Sequence, residues 1–396
     1  MGSFPTAPQH QPMLETYKHV SAALLLLTNV LCAAIPRGID SIERFNSTDR
    51  SIAIRVLLAK GVRETRLRSD DPEGRVRIAD QWVKLPALIR SRSAKGKSYF
   101  EINGRKVFRT RLRVQGKYRH SALQYGGRFY HGTLWLHHTG SAFTVVNRVS
   151  LEDYLAGTLG SEMSPSWEME ALKAQAVVSR SYVLHRLRRP SHKLYDVQSS
   201  VADQVYGGLL TETPRTREAV RSTSGQYLSY SGSPMKAYFH SRCGGTTARP
   251  EQVWQSREPG QNRNVACPYC RRYPFQWTVE VPETELKQIF KINASARYHF
   301  EPIRGPSGRV TDLELWANEK PSRLRSNQFR ARMGYGRLKS TLFEWTKTPG
   351  KIQFKGKGQG HGVGMCQWGA RYLAQSGLAF KAILSHYYPQ SHLDVL

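Results

Sequence analysis

Ser161-Glu162-Met163-Ser164-Pro165-Ser166-Trp167 runs almost directly into Glu170-Ala171-Leu172-Lys173-Ala174-Gln175-Ala176-Val177. The second run opens the best helical pattern in the chain. Leu172, Ala176, Ser179, Val183 and Leu187 recur at helical spacing to build one stripe, its small members let another element approach closely, and Pro190 ends it. Just upstream, Ser150 is placed to cap the amide of Asp153, with Leu151, Tyr154 and Leu155 on one face; Gly157 and Gly160 read as the punctuation that follows. Further back, from Ser51 to about Val146, the pattern is strand-like. It includes Ile52 to Leu58, Lys106 to Val114 and Arg128 to His137, with turn signals at Asn103-Gly104 and Gly126-Gly127. Downstream, residues 195–277 read as short strands and loops and 280–354 as mixed. Two short helices, about Met365 to Gln375 and Phe380 to Tyr387, are separated by Gly377 and stopped by Pro389. These patterns predict an α+β fold, with a mixed strand-and-helix region over 146–396 behind a basic β-rich region over 37–145.

The charge is lopsided. The 396 residues carry 59 Lys plus Arg against 30 Asp plus Glu, a net of +29, and the 39% hydrophobic content suffices for a globular core. Between Arg55 and Arg128 there are 20 basic and 6 acidic residues, so this stretch supplies about half of the excess. Such a chain attracts polyanions: nucleic acid, anionic lipid or an acidic wall polymer. No nucleic-acid motif accompanies the charge, and alternation such as Val107-Phe108-Arg109-Thr110-Arg111-Leu112-Arg113-Val114 fits strands with one basic face. A solvated face without a specific ligand is the competing reading. Residues 1–36 contain the apolar run Val20 to Ala34, preceded by Lys18 and closed by small residues before Pro36. It is short for a membrane span and fits a secretory signal or an uncleaved anchor, so the mature protein is expected to be exported to the periplasm or cell envelope.

Two constellations could carry chemistry. His240-Ser241-Arg242-Cys243 with Cys267-Pro268-Tyr269-Cys270 offers four soft or borderline ligands, His240, Cys243, Cys267 and Cys270, at spacings that suit tetrahedral zinc. Four protein ligands leave no open position, so such a zinc would be structural; a disulfide framework is the alternative in an exported chain. Glu162 is the other. Most glutamates are surface or capping groups, but Met163, Pro165 and Trp167 can raise the pKa of a neighbouring carboxyl toward neutrality. The run Gly356-Lys357-Gly358-Gln359-Gly360-His361-Gly362-Val363-Gly364 does not match a phosphate loop, because Lys357 is followed by glycine. Its glycines instead permit close backbone approach around His361, which by itself is more often packed than catalytic; Cys366 reads as a buried thiol.

Taken in order, Val149-Ser150-Leu151-Glu152-Asp153-Tyr154-Leu155, Ser161-Glu162-Met163 with Trp167, Ala171 to Val177 with Arg180-Ser181-Tyr182, Asp203-Gln204-Val205-Tyr206-Gly207-Gly208, Gly244-Gly245-Thr246, Trp254, Gly360 to Met365 and Gln367-Trp368-Gly369-Ala370 resemble the stage II sporulation protein D and amidase-enhancer family. The resemblance covers roughly Tyr125 to Pro389. It implies a peptidoglycan lytic transglycosylase with Glu162 as catalyst, leaving 1,6-anhydro ends on glycan strands, peptide-stripped strands included. It also implies Arg180, Tyr182, Gln204, Tyr206, His361 and Gln367 as candidates for lining the substrate groove, each as readily a packing residue. A non-catalytic wall-binding activator of a cell-wall amidase is the alternative within the family, and nucleic acid is not an expected partner.

Overall fold

A computed structural model of the protein describes residues 52–396, except 72, 95, 119, 294, 295, 318 and 319. The Val20 to Ala34 run lies outside the described residues, and no helix among those described is long and apolar enough to cross a membrane.

The basic stretch folds into two facing sheets. Seven strands run in the order Val197–Gln198, Ala53–Val62, Phe143–Ser150, Thr133–His138, Arg111–Gln115, Arg75–Ile78 and Gln81–Lys84; six more, including Glu64–Ser69, Ala87–Ala94 and Lys97–Ile102, form the second sheet. Alternation decides which side chains go inward. Leu112, Val114, Leu134, Leu136, Phe143 and Val145 meet Leu67, Ala87, Ile89 and Phe100 in one apolar core, while Arg111, Arg113, Trp135, His137 and Arg148 fall on the opposite face of the first sheet. That sheet draws strands from both sides of residue 145, since Ala53–Val62 pairs antiparallel with Phe143–Ser150 and parallel with Val197–Gln198.

Helices α1 (Leu151–Glu162), α2 (Met169–Arg188), α3 (Pro214–Ser222), α4 (Pro250–Trp254) and α5 (Pro268–Arg272) follow. Ser150 caps α1 as expected, accepting from the Asp153 amide at 3.2 Å. Gly157 and Gly160 do not interrupt it. A Cβ on Gly160 would lie 1.9 Å from the Thr211 carbonyl oxygen, and one on Gly157 would lie 2.9 Å from the Gly208 oxygen and the Tyr206 ring. The two glycines are contact points that bring the 206–211 segment against the helix, and α1 runs through them to end on Glu162. Leu172, Ala176, Ser179 and Val183 of α2 are buried in the central core with Leu155, Leu159 and Met163.

Residues 276–357 build a third body of two three-stranded sheets packed with α6 (Glu283–Phe290) and α7 (Ser326–Met333) around Trp277, Phe300, Leu313, Phe329, Phe343 and Phe354. The chain then returns to the central core through α8 (Gln367–Gln375) and α9 (Phe380–Tyr387). Mixed sheets and helices behind a β-rich N-terminal region are the α+β architecture that the sequence patterns predict.

Candidate functional site

Glu162 is the last residue of α1, and its burial raises its pKa from 4.5 to about 7. The Val205 amide donates to its Oε1 at 2.7 Å and offsets part of that rise. Because a donor already occupies Oε1, the proton of the neutral acid belongs on Oε2. A single carboxyl that changes charge near neutrality can give a proton and take one back.

The segment that supplies Val205 is fastened at each step. Asp203 accepts from the Tyr182 hydroxyl at 2.6 Å and the Gln198 amide at 2.9 Å. Gln204 accepts from the Tyr154 hydroxyl at 3.2 Å and donates to the Ser179 carbonyl, and the Tyr206 hydroxyl donates to Asn147 at 3.0 Å. On the other side, Gln367 donates to the Glu162 carbonyl oxygen at 3.1 Å. Gln204, Tyr206 and Gln367 are thus buried braces whose polar groups are spent inside the protein. Arg180 is buried as well: Nε and Nη2 meet the two Glu152 oxygens at 2.9 and 2.6 Å, and Nη1 reaches the Gln226 carbonyl.

Tyr182 and His361 belong to an aromatic wall. Tyr182 packs edge-on against Tyr238, which stacks on Trp254 at 4.6 Å, and His361 touches Tyr238, Trp254 and His240. Burial, followed by the neighbouring His240, drives the His361 pKa well below 6.5, so this imidazole is neutral and can accept or donate a hydrogen bond but cannot serve as an acid. Tyr238 escapes sequence reasoning; its sole local signal is its place two residues before His240, just ahead of the short strand Phe239–His240.

The metal constellation closes differently from its predicted set. Cys243, Cys267 and Cys270 are joined by Cys366, with all four sulfurs within 4.8 Å of one another and all four residues buried. His240 is not a member. The strand Phe239–His240 pairs parallel with Met365–Cys366, which sets His240 beside Cys366, and its Nδ1 bonds the Val363 carbonyl at 3.0 Å while Nε2 is buried without a partner among the described residues. The H-x-x-C spacing was misleading because the fourth thiol arrives from a segment 96 residues beyond Cys270. The cluster could hold a metal ion. Its Cys270–Cys366 separation of 3.6 Å approaches the edge of about 3.8 Å of a tetrahedron with metal–sulfur bonds of about 2.3 Å. Arg309 lies alongside, wholly buried, its Nη2 donating to the Cys243 carbonyl and its Nε and Nη1 unpartnered among the described residues. A fixed guanidinium there offsets the negative charge that four thiolates bring to a divalent ion.

The cluster is also tied by ring contacts to the loop that follows Glu162. Tyr269, inside the C-x-x-C turn, stacks near Trp368 at 5.6 Å, and Trp368 meets Trp167 of the Glu162 loop at 5.1 Å, with Arg242 over Trp368 and Arg371 over Trp167.

A family model described as stage II sporulation protein matches residues 139–230, and a domain of unknown function matches residues 268–364. Stage II sporulation protein D of Bacillus amyloliquefaciens is 30% identical over 61% of this chain and 74% of its own length. An uncharacterized protein of Brachyspira hyodysenteriae is 36% identical over 65% of this chain and 70% of its own length. The amidase enhancer of Bacillus subtilis is 26% identical over 60% of this chain and 40% of its own length.

Proposed function

The chain belongs to the stage II sporulation protein D and amidase-enhancer family, and from that premise we propose that it is a lytic transglycosylase of peptidoglycan glycan strands with Glu162 as its acid and base. The observation that carries this reading is the half-buried Glu162 carboxyl, its pKa raised to about 7 and one oxygen held by the Val205 amide. Protonated at Oε2, Glu162 donates to the oxygen linking N-acetylmuramic acid to N-acetylglucosamine as that bond breaks and positive charge develops at the muramic C1. The carboxylate then takes the proton of the same sugar's C6 hydroxyl, whose oxygen closes on C1 to give the 1,6-anhydro end. Glu162 finishes protonated, and no water is consumed.

A hydrolase would call for a second carboxyl to activate water or to act as nucleophile. The acids of the neighbouring motifs are otherwise engaged: Asp203 by Tyr182 and the Gln198 amide, Asp153 by Ser150 and Arg217, Glu152 by Arg180. This supports a one-carboxyl reaction. Tyr238, Trp254 and His361, each half-buried, offer ring surface suited to sugars, while Tyr182 is buried with its hydroxyl held by Asp203. The metal ion that Cys243, Cys267, Cys270 and Cys366 would hold is zinc, supplying a structural tie between the Cys267-Pro268-Tyr269-Cys270 turn and the start of α8. The site of action is the cell envelope, after export.

The test is incubation of the purified protein with denuded glycan strands, reading 1,6-anhydromuramic ends by mass spectrometry beside Glu162→Gln. Wild type should form them and the variant should not; equal yields would remove Glu162 from its role. The amidase-enhancer relative favours one second reading, a wall-binding activator of an amidase. That reading predicts no anhydro product from the folded protein and a faster partner amidase.

A further inference from the structure

Gln175 is a buried amide in the first half of α2, and neither the acid chemistry nor the metal cluster accounts for it. It has no exposed surface, and Leu172, Ala174, Ala176, Val177 and Val178 beside it in sequence all belong to the central apolar core. An amide in such surroundings costs stability unless both of its ends are hydrogen-bonded, whereas a methionine of similar size would need no partners. Both ends are bonded. Its Oε1 accepts from Gln367 Nε2 at 3.4 Å, and its Nε2 donates to Ser179 Oγ at 3.1 Å, one turn further along α2.

The two bonds lead to Glu162 by different routes. Glu162 closes α1, so its carbonyl oxygen has no helical donor ahead of it; Gln367 Nε2 donates to that oxygen at 3.1 Å while also donating to Gln175. On the other route, the Ser179 carbonyl accepts from Gln204 Nε2 at 3.4 Å, Gln204 Oε1 accepts from the Tyr154 hydroxyl at 3.2 Å, and the next residue, Val205, donates to Glu162 Oε1 at 2.7 Å. Donor direction fixes the amides. Because Gln367 turns its nitrogen to the Glu162 carbonyl, Gln175 must turn its oxygen to Gln367 and its nitrogen to Ser179; a flipped Gln175 would set two donors face to face. The circuit joins α1, α2, residues 204–205 and the first residue of α8. Tyr154, Gln175, Ser179, Gln204 and Gln367 are all buried, which strengthens each bond and makes a missing one costly.

We propose that Gln175 is a positioning residue for Glu162: it locks the backbone end and the carboxyl end of that residue into one arrangement, through Gln367 on one side and through Ser179 and Gln204 on the other. This role rests on the acid-and-base reading of Glu162 above. Proton transfer needs the carboxyl held within hydrogen-bond reach of the reacting oxygen, and Glu162, at the very end of its helix, is held by these two contacts. Burial raises the carboxyl pKa and the Val205 amide offsets part of that rise, so slack in the 204–205 segment reads out as a further rise.

The test uses the full chain. Gln175→Met keeps the side-chain length and removes both hydrogen bonds; Ser179→Ala, a smaller change, removes only the hydroxyl that Gln175 meets. The carbon-13 resonance of the Glu162 carboxyl, identified by its loss in Glu162→Gln, is followed through pH. From about 7 in the wild type, its midpoint should rise by about half a unit in Gln175→Met and by less in Ser179→Ala. On denuded strands kcat of Gln175→Met should fall about tenfold with KM within about twofold of wild type. Val183→Ala, which removes apolar contact further along α2, should lower stability and leave the midpoint in place. An unchanged or lowered midpoint in Gln175→Met, or in Ser179→Ala should the first variant not fold, would overturn the proposal, as would an equal rise in Val183→Ala. If the wild type forms no anhydro product, the midpoints still decide whether Gln175 positions the carboxyl, so the two failures are distinguishable.

Discussion

Glu162→Gln should make the protein more stable, in a way that depends on pH. The substitution keeps the side-chain shape and an acceptor for the Val205 amide while removing the ionisable group. In the folded protein the carboxyl ionises near pH 7; in the unfolded chain it ionises near 4.5. Below about pH 4.5 both states are protonated and burial of the acid carries no ionisation cost. Between the two values the unfolded chain ionises first, so the wild type loses stability as pH rises, and above about pH 7 the loss is complete. The displacement from 4.5 to about 7 corresponds to about 3 kcal/mol at 1.36 kcal/mol per pH unit. Residual hydration at the mouth of the site lowers the expected figure to about 2 kcal/mol. The assay is urea unfolding of both proteins from about pH 4 to about pH 8, comparing midpoints at constant slope. The variant's advantage should be near zero at the acid end and should grow to about 2 kcal/mol at the alkaline end. Parallel profiles, with the same difference at every pH, would refute the claim that Glu162 is an acid with a raised pKa.

The same ionisation governs rate: kcat/KM on glycan strands should fall above about pH 7 as the acid form of Glu162 disappears, and an alkaline limb placed several units higher would speak against its role. Cys366→Ser should lower bound zinc, read by elemental analysis, from about one per chain to well below it, whereas His240→Gln should leave the stoichiometry unchanged. The reverse pattern would restore His240 as a ligand. Gly160→Ala, which favours an ordinary helix by about 1 kcal/mol, should here destabilise by about 1–3 kcal/mol in denaturant titration, because the new methyl meets the Thr211 carbonyl. A stabilised variant would show that α1 and the 206–211 segment are not in the contact described.

The raised pKa of Glu162 follows from a reading of Met163, Pro165 and Trp167 beside it in sequence, and the α2 stripe from helical spacing that survives in a linear reading. The Val205 bond was not legible, since nothing in Val205 marks a backbone donor aimed at residue 162. Gly157 and Gly160 were misread for the same reason: a glycine that permits contact and one that ends a helix look identical until the contacting segment is known. Spacing selected His240 for the metal set, while Cys366, brought beside it by a two-residue parallel ladder, has no local signal beyond being a cysteine. Arg180, Gln204, Tyr206 and Gln367 share the physical types that bind sugars, and those types equally suit the braces that hold Glu162 in place; only the identity of their hydrogen-bond partners separates the two.

The most direct measurement is digestion of denuded glycan strands by the purified wild-type protein in water enriched in oxygen-18, with the new muramic ends read by mass spectrometry. Transfer of the proton by Glu162 and closure by the C6 hydroxyl predict ends one water lighter than a hydrolytic product and free of the heavy isotope. Ends that gain a water and carry oxygen-18 would contradict the account.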